Sequence, residues 1–355
     1  MSGTSLDGID AVLVDLSGTH PKLIATHYQA YQAELKEVLL GLHHPAPDEL
    51  HQAQLAANQL AREYADATLG LLKKTGIAAG QVQAIGCHGQ TVRHRPEHGY
   101  TIQLNNAALL AELTKIHVVS DFRSRDIAAG GQGAPLVPAF HDKVLRHPGI
   151  HRAILNIGGI ANLTDLPYDS GTTGFDTGPG NLLMDAWINK HQGKPYDKNG
   201  AWAASGKVIP ALLQKLLAES FFFAAPPKST GRDLFNLAWL EKQLSGNEAP
   251  ADVQATLLAL TGESIATAVQ HFCASAKELY LCGGGAHNQT LISHLRRALP
   301  QCLIQKSDVL GIDADWMEAI AFAWLAQQAM QLRPANLPAV TGARHACVLG
   351  AIYPG

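Results

Sequence analysis

The sequence has few of the features that mark membrane, secreted or nucleic-acid-binding proteins. No apolar run approaches the ~20 residues that a membrane-spanning helix needs. The N-terminus has neither the basic flank nor the apolar core of a signal peptide. Long basic runs are missing, and 27 Lys and Arg stand against 30 Asp and Glu. Electrostatic binding to nucleic acid or to an anionic membrane is therefore not supported.

Cysteine is also scarce. The five cysteines are scattered, odd in number and never arranged as CxxC: Cys87, Cys273, Cys282, Cys302 and Cys347. This pattern is typical of reduced, mostly buried thiols, and we expect a cytoplasmic protein.

Common nucleotide-binding and hydrolase motifs are absent. Residues 131–136 lack the last glycine of GxGxxG, and residues 200–207 (GAWAASGK) have one residue too many for a P-loop. Neither a GxSxG nucleophile elbow nor an HExxH zinc helix occurs, and the 17 histidines show no metal-ligand spacing. A metal hydrolase is therefore disfavoured.

Strand-like runs alternate with helical patterns, which predicts an α/β fold. The apolar runs that lead into or out of glycine-rich turns cover residues 9–16, 82–87, 153–157, 160–164 and 279–282. The helical patterns cover residues 53–72 and 315–332, together with Ile265, Val269, Phe272 and Ala276 on one face of a further helix. A chain of 355 residues favours two domains. The irregular residues 123–138 are the best candidate for the crossing between them.

The opening turn suits an anion. Gly3 and Gly8 flank hydroxyl groups and the carboxylate of Asp7 just before a strand-like run. Glycines let backbone N–H groups approach phosphates closely, and a carboxylate beside them can hold Mg²⁺. An ordinary loop is the alternative. A similar turn at residues 158–159 could hold a triphosphate from the other side, and residues 283–285 could lie by a base or ribose.

Asp176 is the best candidate for chemistry. It precedes a predicted tight turn at residues 178–180, from which it could project into a cleft and act as general base. The alternative is an Asp that caps the following helix. Asn181 is the better placed cap if that helix begins at Leu182, and we therefore favour the catalytic interpretation.

The chain resembles the anhydro-N-acetylmuramic acid kinases over nearly its whole length. The matching segments, in family order, are GTSLDGIDAVLVD, CHGQTVRH, DFRSRDIAAGGQGAPLVP, LNIGGIANLT, FDTGPGNLLMDAW, PPKSTGRDLFN, CGGGAHN and WMEAIAFAWLA. The resemblance implies a two-domain actin-like ATPase (ribonuclease H-like) fold, with an interdomain cleft for ATP and sugar. The expected domains are residues 1–127 with 345–355, and residues 128–344.

The resemblance also implies the activity. Family members open the 1,6-anhydro bond of anhydro-N-acetylmuramic acid and transfer the γ-phosphate of ATP to O6, a step of peptidoglycan recycling. Asp176 matches their catalytic base, which deprotonates the water that attacks the anomeric carbon. ATP and Mg²⁺ are the implied cofactors, and a homodimer is the implied assembly.

The implied nucleotide site has three parts. The first phosphate loop comprises Gly3, Thr4, Ser5, Leu6, Asp7, Gly8, Ile9 and Asp10, with Asp7 as the Mg²⁺ ligand. Gly158 and Gly159 form the second loop. Gly283, Gly284 and Gly285 lie by the adenosine.

Thr91, Arg123 and Glu318 are the implied sugar contacts. The planar fork of Arg123 can pair with the lactyl carboxylate of muramic acid. The alternatives are a surface ion pair of Arg123 with a neighbouring Asp, or Arg125 as the real contact. Glu318 falls on an apolar helix, so we expect it at the cleft edge or paired. Residues 228–232 are assigned no role.

One departure from the family concerns the opening turn, which is normally preceded by a short apolar strand. Here only Met1 and Ser2 precede it. We expect a native start upstream, with ~6–8 residues more, about the length of a strand. Two alternatives to this function are a kinase for another amino sugar and an ATP-driven regulator on the same scaffold.

Overall fold

The computed structural model describes residues 1–2 and 8–355. Its strands are β1 (Gly8–Asp15), β2 (Lys22–Ala30), β3 (Ile85–Gly86), β4 (Gln90–Arg95), β5 (Tyr100–Leu104), β6 (Val118–Ser120), β7 (Arg152–Ile157), β8 (Ile160–Leu166), β9 (Thr173–Pro179), β10 (Glu278–Cys282), β11 (Leu303–Lys306) and β12 (Ala351–Tyr353).

Helices account for most of the remaining regular structure. They are α1 (Ala33–Gly41), α2 (Glu49–Thr75), α3 (Ala107–Thr114), α4 (Ser124–Ala128), α5 (Val137–Leu145), α6 (Leu182–Gln192), α7 (Ala201–Ser205), α8 (Pro210–Leu217), α9 (Ser220–Phe223), α10 (Leu237–Glu241), α11 (Pro250–Phe272), α12 (Gln289–Ala298), α13 (Met317–Met330) and α14 (Pro338–Thr341).

The chain divides into two compact units. Unit 1 comprises Met1–Val144 and Trp316–Gly355, and unit 2 comprises Leu145–Asp315. Both contain sheets and helices, which confirms the predicted α/β class. The expected domain boundaries lie at residues 127/128 and 344/345. The boundaries between the two units of the structure lie at residues 144/145 and 315/316. Helix α13 falls in unit 1 because it packs against β1, β3 and β6.

The predicted crossing at residues 123–138 is wrong. The whole segment lies in unit 1, where it includes α4 and the first residues of α5. Asp126 of α4 holds it there. This fully buried carboxylate accepts hydrogen bonds from the Gly133 N–H (2.8 Å), Asn336 Nδ2 (2.7 Å) and Thr341 Oγ1 (2.7 Å). This buried side chain is therefore one of the contacts that join the two chain segments of unit 1.

The core of unit 1 forms between the β1–β2 hairpin and α2. The two strands are antiparallel, from Gly8 opposite Ala30 to Asp15 opposite Lys22. Helix α2, rich in Ala and Leu, buries Leu60 and its neighbours against them. The helix ends at Thr75 and is capped by Gly76, whose φ of 72° lies in the left-handed region that glycine adopts without strain. The predicted strand and helix are both confirmed, the helix three to four residues longer at each end.

A second sheet of unit 1 has the order β12-β6-β3. Strand β3 runs parallel to β6 and β12 antiparallel to it. The strand predicted over residues 82–87 is thus reduced to Ile85 and Gly86. Helix α13 covers it so closely that a Cβ on Gly86 would lie 2.3 Å from the carbonyl oxygen of Phe322. Glycine is required there by packing.

Unit 2 contains a five-stranded sheet in the order β11-β10-β7-β8-β9. Strands β11, β10 and β7 are parallel, whereas β8 runs antiparallel to both β7 and β9. Helix α11 packs against β8 and β9. It ends at Phe272, so Ala276 lies outside it. Because β7 and β10 are parallel neighbours, the glycine turns that follow them meet at one edge of the sheet.

Two general expectations concern the chain as a whole. All five cysteines are buried and unpaired, which confirms the expectation of buried thiols. Across the described residues, no helix combines the length and apolar character needed to cross a membrane.

Candidate functional site

Asp176 lies near the end of β9, opposite Asn162 of β8. The strand continues to Pro179, so the tight turn predicted at residues 178–180 is wrong: Gly178 pairs with Ala161 and Pro179 with Ile160. The pairing register shifts at this point, which sets Asp176 at an irregularity of the sheet. Helix α6 begins at Leu182 with Asn181 at the N-cap position, as predicted. The Asn181 side chain makes no cap bond, however, and donates to the Ile157 carbonyl instead (3.1 Å).

The Asp176 carboxylate is held by a segment far along the chain. The Asp176 N–H donates to the Lys228 carbonyl (3.0 Å), and the Thr230 N–H donates to Asp176 Oδ2 (2.9 Å). The backbone groups of Lys228 and Thr230, in a segment to which the sequence assigned no role, therefore position the candidate base. A gap of 54 residues separates the bonded partners, and no local pattern could have indicated the contact.

The electrostatic environment makes Asp176 an unusually weak acid. Burial raises the pKa of its carboxyl to about 7, against the lowering effects of the Thr230 N–H and the Lys228 ammonium group. Lys228 is itself anchored, since its Nζ donates to the carbonyls of Phe221 (3.1 Å) and Phe222 (3.4 Å) and lies 4.6 Å from the Phe221 ring centre. A carboxylate with a pKa near neutrality can accept a proton at physiological pH and release it again.

Gly158 and Gly159 form the turn between β7 and β8. Their carbonyls accept from the N–H groups of residues 180–182, which ties this turn to the start of α6. A Cβ added at Gly158 would meet nothing within 3.6 Å, and one at Gly159 nothing within 3.9 Å. Neither glycine has a positive φ between 20° and 160°. Protein packing therefore leaves space beside both residues, as close approach of a phosphate requires.

The turn after β10 combines two kinds of glycine. Gly283 has a φ of 77°, and a Cβ there would lie 2.3 Å from Asn156 Oδ1. At Gly285 a Cβ would lie 2.2 Å from Ile157 Cγ2. Both are therefore required by contact with β7. At Gly284 the atom nearest to an added Cβ would be Asn181 Nδ2, at 3.9 Å. Packing therefore does not require a glycine at this position.

In unit 1, Arg123 is fixed by His88 and by the backbone. His88 Nε2 lies 3.1 Å from Arg123 Nε and 2.9 Å from Nη2, while Nη1 donates to the Gly133 carbonyl (2.8 Å). His88 Nδ1 lies 2.7 Å from the Gly89 carbonyl. A carbonyl can only accept and a guanidinium can only donate, so His88 is neutral and carries its proton on Nδ1. Burial and the Arg123 charge lower the pKa of His88 well below its usual value, in agreement with this state.

Glu318 supplies a counter-charge to Arg123. Burial lowers the pKa of Arg123 to about 10, while the negative charges of Glu318 and Asp126 raise it. Arg123 makes its hydrogen bonds with His88 and Gly133 rather than with Asp121, which accepts from Ser124. Arg125, the alternative, is exposed and lines a separate cavity with residues 345–348.

Thr91, the third candidate for the sugar, lies on β4 and accepts a hydrogen bond from Gln103 Nε2 of β5 (3.2 Å). No bond described by the structure links it to Arg123.

The first phosphate loop is described only at its end. Gly3, Thr4, Ser5, Leu6 and Asp7, with the predicted Mg²⁺ ligand, lie outside the described residues. Gly8, Ile9 and Asp10 belong to the paired strand β1, and the Ile9 side chain is buried in the core. Elsewhere in the described chain, no group of three or more His, Cys, Asp or Glu side chains could hold a metal ion.

The whole chain, residues 1–355, matches the family model described as anhydro-N-acetylmuramic acid kinase. The chain belongs to this family. The resemblance seen in the sequence is thereby confirmed, and the family is one of kinases, enzymes that use a nucleoside triphosphate.

Curated relatives agree with the family over nearly their full length. The anhydro-N-acetylmuramic acid kinases of Nitrosospira multiformis and Nitrosomonas europaea are each 58% identical to this chain. The alignments cover all of it and 97% and 98% of those proteins. Among solved structures, the activator of the 2-hydroxyisocaproyl-CoA dehydratase from Clostridium difficile with bound ADPNP aligns with a TM-score of 0.43 and 12% identity. That alignment covers 89% of this chain and 92% of that one. A similarity this low has no bearing on function.

Proposed function

We propose that the chain hydrolytically opens the 1,6-anhydro ring of anhydro-N-acetylmuramic acid and phosphorylates O6 with ATP, giving N-acetylmuramic acid 6-phosphate for cell-wall recycling. The observation that carries the mechanism is Asp176, a carboxylate with a pKa of about 7 that a distant segment fixes through its backbone. It stands in the family motif FDTGPGN.

The proposed reaction couples two bond changes at the sugar. Asp176 accepts a proton from a water molecule, whose oxygen attacks the anomeric carbon. The bond from that carbon to O6 breaks, and O6 takes the γ-phosphoryl group as ADP leaves. The pKa of about 7 keeps a useful fraction of Asp176 ionised at neutral pH, while leaving it basic enough to take the proton.

The phosphates of ATP are assigned to the glycine turns. The free space beside Gly158 and Gly159 lets backbone N–H groups approach phosphate oxygens, and Gly284 leaves similar space beside β10 for the nucleoside. The loop from Gly3 to Asp10 would complete the phosphate site. Asp7 would hold Mg²⁺, which neutralises phosphate charge when bound and generally keeps much of its water shell.

The sugar is assigned to unit 1. Arg123 would bind the lactyl carboxylate through its guanidinium, and His88 and Gly133 fix the plane of that group. Thr91 and Glu318 would contact the sugar hydroxyls. We also propose a cytoplasmic homodimer, and light scattering of the purified protein tests its oligomeric state.

The deciding experiment is incubation with ATP, Mg²⁺ and the anhydro sugar in ¹⁸O-labelled water. We expect label at the anomeric oxygen and phosphate on O6, as the mass and fragmentation of the product would reveal. Phosphorylation with the anhydro bridge intact would refute the mechanism. The Asp176→Asn variant should bind ATP but not turn over, and near-normal turnover would reject Asp176 as the base.

A further inference from the structure

The hydroxyl of Thr230 lacks a partner in a buried position. Within residues 1–2 and 8–355, its Oγ1 is shielded from solvent and makes no hydrogen bond. A buried hydroxyl without a partner is destabilising, because the group has lost its bonds to water and gained none. Such a group in a folded protein calls for an explanation, and a ligand is one.

The position of this hydroxyl is set by its own backbone. The Thr230 N–H donates to Asp176 Oδ2 at 2.9 Å. Covalent geometry keeps Oγ1 of a threonine within about 4 Å of its own backbone nitrogen, and therefore within about 6–7 Å of Asp176 Oδ2. One water molecule can bridge two polar atoms that lie up to about 5.5 Å apart, a separation that falls within this upper bound.

The two oxygens of the Asp176 carboxylate have different roles. Oδ2 accepts from Thr230, and no bond made by the described residues engages Oδ1. The backbone of residue 230 thus fixes the rotation of the carboxylate, while its side chain carries the buried hydroxyl without a partner.

We propose that the Thr230 hydroxyl binds the water molecule that attacks the anomeric carbon. This inference rests on the proposed function and adds a second residue to the step that Asp176 begins. The water donates one O–H to Asp176 Oδ1 and the other to Thr230 Oγ1, and its remaining lone pair is directed at the anomeric carbon. The proton taken up by Asp176 is the one lost by that water, and Thr230 exchanges none.

The test compares variants that separate the hydroxyl from the shape of the side chain. Thr230→Val keeps the shape and the backbone N–H on Asp176 but removes the hydroxyl, whereas Thr230→Ser retains it. Ser229→Ala removes a hydroxyl from the exposed neighbouring residue and is the matched control. Steady-state kinetics with the anhydro sugar, and melting temperature without ligands, are measured for all three.

We expect Thr230→Val to lower kcat about 10- to 100-fold, with KM for the sugar within threefold of wild type. Thr230→Ser should stay within fivefold of wild type, and Ser229→Ala should be unchanged. The melting temperature of free Thr230→Val should equal or exceed that of wild type, because an unsatisfied polar group has been removed. A structural hydroxyl would give the opposite shift.

Three results would overturn the inference: wild-type kcat in Thr230→Val, an effect on KM alone, or a fall of more than 5 °C in its melting temperature. Failure of the variant to fold counts as the last of these. The Asp176→Asn variant distinguishes this failure from failure of the proposed function. Inactive Asp176→Asn with fully active Thr230→Val rejects only the role of Thr230.

Discussion

His88 Nε2 accepts hydrogen bonds from two nitrogens of Arg123, Nε at 3.1 Å and Nη2 at 2.9 Å. One edge of the guanidinium is thereby occupied by a neutral ring, whose own position is fixed by edge-on contact with Phe322 at 4.7 Å between ring centres. The charge of Arg123 is not neutralised by this contact. The negative charges that act on the guanidinium are those of Glu318 and Asp126.

Replacing His88 by Phe tests this arrangement. The aromatic ring and its contact with Phe322 are preserved, but the acceptor for Arg123 is lost. We expect the free energy of unfolding to fall by about 1–3 kcal/mol, because two buried N–H groups lose their partner. KM for the anhydro sugar should rise at least about tenfold as the guanidinium loses its orientation. His98→Ala, at an exposed site, is the control. An unchanged KM in His88→Phe would argue against Arg123 as a sugar contact.

The pH dependence of turnover follows from the pKa of Asp176. A general base works in its ionised form, so kcat/KM should be constant above about pH 7 and fall tenfold per unit below it. At pH 5 we expect about a 100-fold loss relative to the plateau. Rates of phosphorylation measured from pH 5 to 9 test this. A plateau that extends down to pH 5 would contradict the pKa or the role of Asp176.

The same pKa predicts a pH-dependent gain in stability on removal of the charge. Because folding raises the pKa of Asp176 from 3.8 to about 7, the folded state binds this proton more tightly than the unfolded state. The wild-type protein thus loses stability as pH rises from about 4 to 7 and does not regain it above. Asp176→Asn should be more stable than wild type by about 1–3 kcal/mol at pH 8 and about equal to it at pH 4.

Urea unfolding at both pH values measures this difference. Lys228→Met is a useful companion, because loss of the ammonium group should raise the pKa of Asp176 further. A variant Asp176→Asn that is less stable than wild type at pH 8 would show that the carboxylate contributes more as a hydrogen-bond acceptor than it costs as a buried charge.

Two adjacent glycines should respond differently to a methyl group. Gly285→Ala would place Cβ 2.2 Å from Ile157 Cγ2, and we expect a loss of about 1–3 kcal/mol in stability. Gly284→Ala meets no close atom, so its stability should stay within about 0.5 kcal/mol of wild type. If the nucleotide lies against this residue, KM for ATP should nevertheless rise about tenfold in Gly284→Ala. Differential scanning calorimetry and ATP titrations of both variants decide this, and an unchanged KM would remove Gly284 from the nucleotide site.

Sequence reasoning succeeded where a local pattern specifies the structure. The strand at residues 9–16, the long helix α2 and the start of α6 at Leu182 each follow from apolar periodicity or a capping position. The predicted turn at Gly178 and Pro179 was wrong, because both residues pair with β8 although their sequence is typical of a turn. Sequence reasoning also could not find Thr230 beside Asp176, because that contact depends on how a loop folds back over 54 residues. The family motif predicted Asp176 as the base but gave no indication of the segment that holds it.

The discontinuity of unit 1 has a consequence for how the protein is made. Asp126 must wait for Thr341, which follows 215 residues later, before its buried charge has all its hydrogen bonds. At rates of synthesis of about 5–20 residues per second, this interval is roughly 10–40 s. Unit 2 is continuous in the chain and leaves the ribosome whole within that time. It can therefore fold first, whereas unit 1 is completed only when its C-terminal segment, from Trp316 onward, has been made.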